Sequence, residues 1–349
     1  MTVAQPSPLQ VFEPSAARGQ LLDRGMCDDL VSSLRHLLAA AQGDGLTGNL
    51  QQILTLLETG VPFRPVAFGL YFQLAQAMLG EEHEKALSTS VVLLEHLKSL
   101  RASAADENLI MVGRGSRAAA LLEEVFEAQL GSEADCFAPV TEQVVENFRA
   151  RMASALALLA DGVPGLHGEL QAILRDVLVA QGQPDADTVF DGASHYQFWG
   201  LLLLNPEFHN SRLALAEVLA HESGHSVLFG LSRLEPLVLN ADDETFESPL
   251  RVDARPMDGI FHATYVCARM AWTMHTLLES GLLDQAERAE ALRALEQDHA
   301  LFDQGWETVA AHGQLSPTGE QIMQGAKAWM DRSRPVLDAL LSDLRPTPA

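Results

Sequence analysis

Basic residues are scarce in this chain: 23 Lys and Arg stand against 47 Asp and Glu, a formal net charge of −24. A field of that sign repels phosphate backbones and anionic lipid, which argues against nucleic acid and membrane surfaces as partners. A solvated acidic surface is the plain account of the excess. Cysteine is scarcer still. Cys27, Cys136 and Cys267 are far apart and odd in number, so they make neither a disulfide framework nor a zinc-knuckle spacing. Free thiols in a reducing compartment follow. No apolar run approaches the roughly 20 residues that span a bilayer. The opening MTVAQPSPLQVFEP lacks the basic region and apolar stretch of a signal peptide. A cytoplasmic location is therefore expected. There is also no repeat of fixed period and no low-complexity block.

What is present is a chain of 349 residues, 47% of them hydrophobic, with room for a sizeable core in one large domain or two ordinary ones. Residues 1–20 are Pro-rich and aperiodic and read as an arm. From Cys27 onward a 3.6-residue period dominates. CDDLVSSLRHLLAAAQG, NLQQILTLLETG, HEKALSTSVVLLEHLKSL, SRAAALLEEVFEAQLG, VTEQVVENFRARMASALALLADG and LHGELQAILRDVLVAQG each carry apolar residues on one face, and several close on a Gly suited to a helix C-cap. Three more helical stretches follow His262: one to Glu279, one over Leu283–His312 and one over Thr318–Leu344. Phe198–Leu204, stopped by Asn205-Pro206, is the one stretch that reads convincingly as strand, although a short apolar run fits a buried helical turn nearly as well on periodicity alone. The expected fold is mainly α, a multi-helix globular unit with a small central sheet or hairpin beside the helix described next. Its parts are an arm over 1–20, a helical N-terminal part over 21–190, and a metal-site part with C-terminal helices over 191–349, in one continuous unit. The stretch from Glu235 to Met257 lacks a period and holds the acidic run ADDETFE. A structureless stretch of that length in a compact domain is often functional.

Chemistry is concentrated in Arg212–Gly230, RLALAEVLAHESGHSVLFG, which reads as one helix containing HESGH. Residues four apart share a helix face, so His221 and His225 aim two imidazoles at one point, as a metal requires of two ligands on one element. Glu222 projects about 100° further round, within reach of a metal-bound water. Leu219 and Ala220 before the motif, and Val227, Leu228 and Phe229 after it, bury this helix. Two His and a Glu in such a place would be costly without a shared partner. A third ligand must come from elsewhere; the candidates are His262, Glu244, Glu247, Asp253 and Asp258. His262, early in the helix that follows SPLRVDARP, and Glu247 stand level on this ground.

HESGH followed by SPLRVDARPMDGIFHATYVCARM resembles the HExxH-motif proteins that act on ribosomally made peptides as 2-oxoglutarate-dependent peptide β-hydroxylases. The similarity is closest over Arg212–Arg269, where Gly259 and His262 match the family's spaced Gly and His; Ala263 stands where the family often has Gly. The resemblance implies Fe(II) held by His221, His225 and His262, with 2-oxoglutarate as co-substrate and a precursor peptide as substrate. Three ligands on one face leave three cis positions, two for the keto-carboxylate and one for oxygen, a facial triad with His in place of the usual carboxylate. The distal carboxylate of 2-oxoglutarate needs a cation, and the fork of an arginine suits it. Arg255 is first choice, with Arg251 and Arg269 behind it; Arg269 falls seven residues after His262, on the same helix face. His195, His209, Trp199 and Tyr265 are secondary candidates for a substrate cleft, each more simply explained as a satisfied or core residue.

Two other functions compete. In a zinc metallopeptidase, Glu222 would be the general base on zinc-bound water, though the chain lacks a following Glu-x-x-x-Asp element and the long HExxHxxGxxH. A helical binding module with a structural metal would want a fourth ligand, and no Cys lies near the motif.

Overall fold

The computed structural model describes residues 8–102, 109–183, 190–248 and 253–344. Among the described residues it is mainly α-helical. The helices are α1 (Ala16–Ala40), α2 (Asp44–Glu58), α3 (Pro65–Leu79), α4 (His83–Ala102), α5 (Ala120–Leu130), α6 (Glu142–Gly162), α7 (Pro164–Ile173), α8 (Arg212–Ser232), α9 (Met257–Ser280), α10 (Gln285–His312) and α11 (Pro317–Leu344). The strands are short: β1 (Ile110–Gly113), β2 (Phe137–Ala138), β3 (Asp176–Val179), β4 (Gln181–Gly182), β5 (Gly192–Ser194), β6 (Leu201–Leu204), β7 (Thr245–Phe246) and β8 (Arg255–Pro256). No described helix is long and apolar enough to cross a membrane.

The chain divides into two compact units, each gathered from separated stretches. The first takes Met1–Leu22, Ala150–Ala172 and His209–Ala349; the second takes Asp23–Arg149 and Ile173–Phe208. The expected parts, 21–190 and 191–349 in sequence, are thus replaced by an interleaved division. Nor is the stretch before residue 20 simply an arm: α1 begins at Ala16, and Arg18 within it is buried.

In the second unit a four-stranded sheet runs in the order β1-β3-β6-β5, with β1, β3 and β6 parallel and β5 antiparallel to β6. The expected strand at Phe198–Leu204 is present but starts at Leu201. A 3-10 turn over Tyr196–Phe198 precedes it, and Gly200 takes φ +86°, where a Cβ would come within 3.0 Å of the Ile173 carbonyl oxygen. The expected helix running through LRDVLVAQG is corrected. α7 stops at Ile173 and Asp176–Val179 is a strand buried at all four positions. Strands covered on both faces lose the alternation that distinguishes them from helix. Arg64 Nη2 anchors this strand from α3's N-terminal side through Asp176 Oδ1 at 2.7 Å. Helix α3 itself, PVAFGLYFQLAQAML, is apolar nearly all round, so it carries no one-sided pattern.

In the first unit α9 packs against α8, α10 and α11, and the antiparallel pair β7–β8 leads directly into it. Gly281 in the left-handed region (φ 74°) ends α9. Asp284 caps α10 through Oδ1, which accepts from the backbone N–H groups of Ala286 and Glu287 at 2.8 and 2.9 Å.

Candidate metal centre

Helix α8 starts where Ser211 Oγ accepts the backbone N–H of Ala214 at 3.0 Å, an ordinary N-cap. From Leu213 to Gly230 every residue is buried except Ala214, Glu217, His221, His225 and Phe229, which are half-buried. Their spacing of three, four, four and four residues makes one stripe along the helix. The two histidines of HESGH therefore lie on the single face of α8 that solvent can touch.

The side chains form a chain of contacts. His225 Nε2 lies 3.2 Å from His221 Nε2, and His225 Nδ1 lies 3.0 Å from His262 Nδ1, on α9. The rings of His225 and His262 stack with 5.2 Å between centroids and 17° between planes. Phe229 covers this pair, its ring 5.4 Å from that of His262. Burial, then the neighbouring His221 and His262, hold the His225 imidazole well below the ordinary histidine range. Burial also lowers His262, against the pull of Asp258. Both rings are thus neutral at neutral pH, the form that binds metal.

The chemistry of this donor set fits a first-row ion. Two nitrogens bound at about 2.1 Å and a right angle lie about 3.0 Å apart, close to the His221–His225 separation. The third nitrogen is adjacent, but it faces the opposite edge of the His225 ring. Since His225 can offer one ion only one nitrogen, His221 or His262 must turn for all three to meet. In keeping with that, no group of three or more potential ligands is already convergent among the described residues.

The remaining candidates are placed as follows. Asp258 Oδ2 is 3.9 Å from His262 Nε2, one turn earlier on α9. Glu244 accepts from Asn240 Nδ2 at 3.2 Å on the exposed segment before β7, and Glu247 and Asp253 are exposed. Glu222 is buried, its Oε1 3.9 Å from His221 Nε2. Arg255 sits on β8, paired through Nε with Asp253 at 2.7 Å and partly exposed. Arg251 lies outside the described residues.

Arg269 departs from expectation. It is fully buried, and its Nη2 lies 2.8 Å from Glu169 Oε1 and donates to Ser223 Oγ at 3.0 Å; its Nε donates to the Ala220 carbonyl at 3.3 Å. Buried to this extent, the guanidinium presents no accessible face to a co-substrate. His195 Nδ1 accepts from the Gln197 N–H at 3.3 Å, and His209 is buried. Trp199 Nε1 donates to Asp23 Oδ1 at 2.9 Å, and Tyr265 packs edge-on to Phe12. Trp199 and Tyr265 belong to the core.

Sequence reasoning missed the other half of Arg269's surroundings. Glu169, on α7, is wholly buried, and Arg18 Nε meets its Oε2 at 2.6 Å. Arg18 Nη1 also donates to the carbonyls of Val11 and Phe12 at 2.6 and 3.0 Å. Burial alone would push the Glu169 carboxyl up; Arg18 and then Arg269 more than reverse this and hold it below the usual carboxylate range. The signal was a Glu on the apolar face of LHGELQAIL, between Leu166 and Ile173.

The chain matches no protein-family model, and comparison with curated proteins gives no match.

Proposed function

We propose that this protein is an Fe(II)- and 2-oxoglutarate-dependent oxygenase that hydroxylates a β-carbon of a ribosomally made peptide in the cytoplasm. The observation that supports it most is the run of three imidazoles, His221 and His225 from HESGH on the accessible stripe of α8 and His262 from GIFH on α9 beside them. Bound iron with 2-oxoglutarate and oxygen would supply the oxidising power for a C–H bond. The chain's own residues do the rest. His221 and His225 present a rigid pair because one helix carries both. His262 arrives from the first turns of α9, with Phe229 excluding water from one side. Glu222, held beside His221, orients a ligand or the substrate. Arg255, on the strand entering α9, is the remaining described arginine for the distal carboxylate.

A zinc peptidase is the second reading, favoured by Glu222, whose buried carboxylate lies beside the first histidine as a general base would. Mass spectrometry of a small precursor peptide co-produced with the protein separates the two. A product heavier by one oxygen atom, with succinate formed in step and no backbone cleavage, is expected. Cleavage that is indifferent to 2-oxoglutarate and oxygen would overturn the oxygenase.

A further inference from the structure

We infer that Arg269, held by Glu169, which Arg18 holds in turn, is a positioning residue that sets the metal-binding turn of α8 against α9. This deepens the oxygenase assignment and rests on its metal centre. Arg269 leaves α9 and grips α8 at two points, Ser223 Oγ at 3.0 Å and the Ala220 carbonyl at 3.3 Å. Those residues sit inside and just before HESGH, on the buried side of the turn whose accessible side carries His221 and His225. The nitrogen that donates to Ser223, Nη2, also lies 2.8 Å from Glu169 Oε1, and Glu169 is held in turn by Arg18 at 2.6 Å.

Gly224 makes the grip possible. A Cβ there would stand 3.0 Å from Arg269 Cδ and 3.2 Å from its Nε, so any other residue at this position of the motif would push the guanidinium away. His262 and Arg269 are seven residues apart on one face of α9. The same helix therefore supplies the third imidazole and, two turns further on, the clamp, and the clamp determines how far His262 stands from His225.

Stability alone is a poor account of this arrangement. Three fully buried charges in an Arg–Glu–Arg array carry a large desolvation cost, and well-packed apolar residues often replace such arrays with a gain in stability. What an apolar cluster cannot supply is direction. Five described donor–acceptor contacts fix the guanidinium of Arg269 and the carboxylate it shares, and through them the pitch of the turn between the two metal-binding histidines. Groups that orient metal ligands without touching the ion commonly change metal affinity by about 10–100-fold when altered.

Cobalt(II) is the probe, since it reports coordination by its visible spectrum without any turnover. Wild type, Ser223→Ala, Arg269→Lys and His262→Ala are titrated, with circular dichroism and thermal melts on each. Ser223→Ala removes one hydroxyl and should leave the fold intact, so it decides the matter should Arg269→Lys fail to fold. The expected result is a cobalt affinity weakened about tenfold in Arg269→Lys and severalfold in Ser223→Ala, with ligand-field bands moved towards those of His262→Ala. Native affinity and an unchanged spectrum in folded Ser223→Ala and Arg269→Lys would overturn the positioning role and leave the metal centre standing. A wild-type protein that takes up no cobalt would overturn both.

Discussion

Replacing Gly224 by alanine sets two effects of similar size against each other, and the structure decides between them. Gly in a helix interior is disfavoured relative to Ala by about 1 kcal/mol, so on helix propensity alone Gly224→Ala should stabilise α8. The added methyl, however, would lie 2.9 Å from Val266 Cγ1 and 3.0 Å from Arg269 Cδ. Neither neighbour can yield cheaply. Val266 is fully buried and β-branched, with one strongly preferred rotamer in a helix. Arg269 is pinned at its far end by Glu169. Overpacking of a well-filled core costs about 1–3 kcal/mol, which outweighs the propensity gain and leaves a net loss on the order of 1 kcal/mol. The lowest-cost relief is for α8 and α9 to separate by a few tenths of an ångström, and this carries His262 away from His225. The variant should therefore lose both a little stability, measured by urea unfolding, and a larger fraction of its metal affinity, measured by cobalt or zinc titration. A Gly224→Ala protein more stable than wild type with undiminished affinity would refute the close approach of the two helices as a requirement of the site.

Three further outcomes follow from other groups. Arg255→Ala should raise the 2-oxoglutarate concentration for half-maximal turnover by about tenfold, the worth of a charge-assisted bidentate pair, while leaving cobalt affinity alone; an unchanged requirement moves the role to Arg251. Burial, and then the charge of Glu290, lift the Glu217 carboxyl to about 7. A carboxyl raised in the fold from its ordinary value near 4.5 is a source of stability only at low pH, lost as pH climbs from there through 7. Glu217→Gln should thus gain on wild type between pH 5 and pH 8 in urea midpoints, by on the order of 2–3 kcal/mol at most; parallel pH profiles would show the carboxyl ionised throughout. His225 and His262 are held neutral by burial, so the unfolded chain takes up protons first as pH falls below about 6.5. Metal-free protein should melt lower at pH 5.5 than at pH 7.5. The dependence should shrink in the His225→Asn, His262→Asn double variant, and an equal slope in both proteins would place the titration elsewhere.

What could be seen in the sequence is what a single element determines by itself. His221 and His225 share a face because residues four apart always do in a helix, and the half-buried stripe Glu217–His221–His225–Phe229 follows from that rule. The mainly α fold was visible for the same reason, wherever a helix presents one apolar face. It failed at α3, apolar nearly all round, and at Asp176–Val179, where a strand covered on both sides resembles a buried helix. Arg269 marks the boundary most clearly. Its spacing from His262 was read correctly as a shared face of α9, but the occupant of the space opposite that face is set by α7 and α8, whose placement no local pattern encodes. A partner buried with it, Glu169, turns a candidate co-substrate clamp into part of an internal charge array. The same reasoning bears on Arg255: β8 runs straight into α9, three residues separate Arg255 from Gly259, and a Cβ at Gly259 would lie 3.5 Å from that of Arg255. Its nearness to the turn that delivers His262 is a property of one continuous stretch of chain, the kind of relation that sequence does carry.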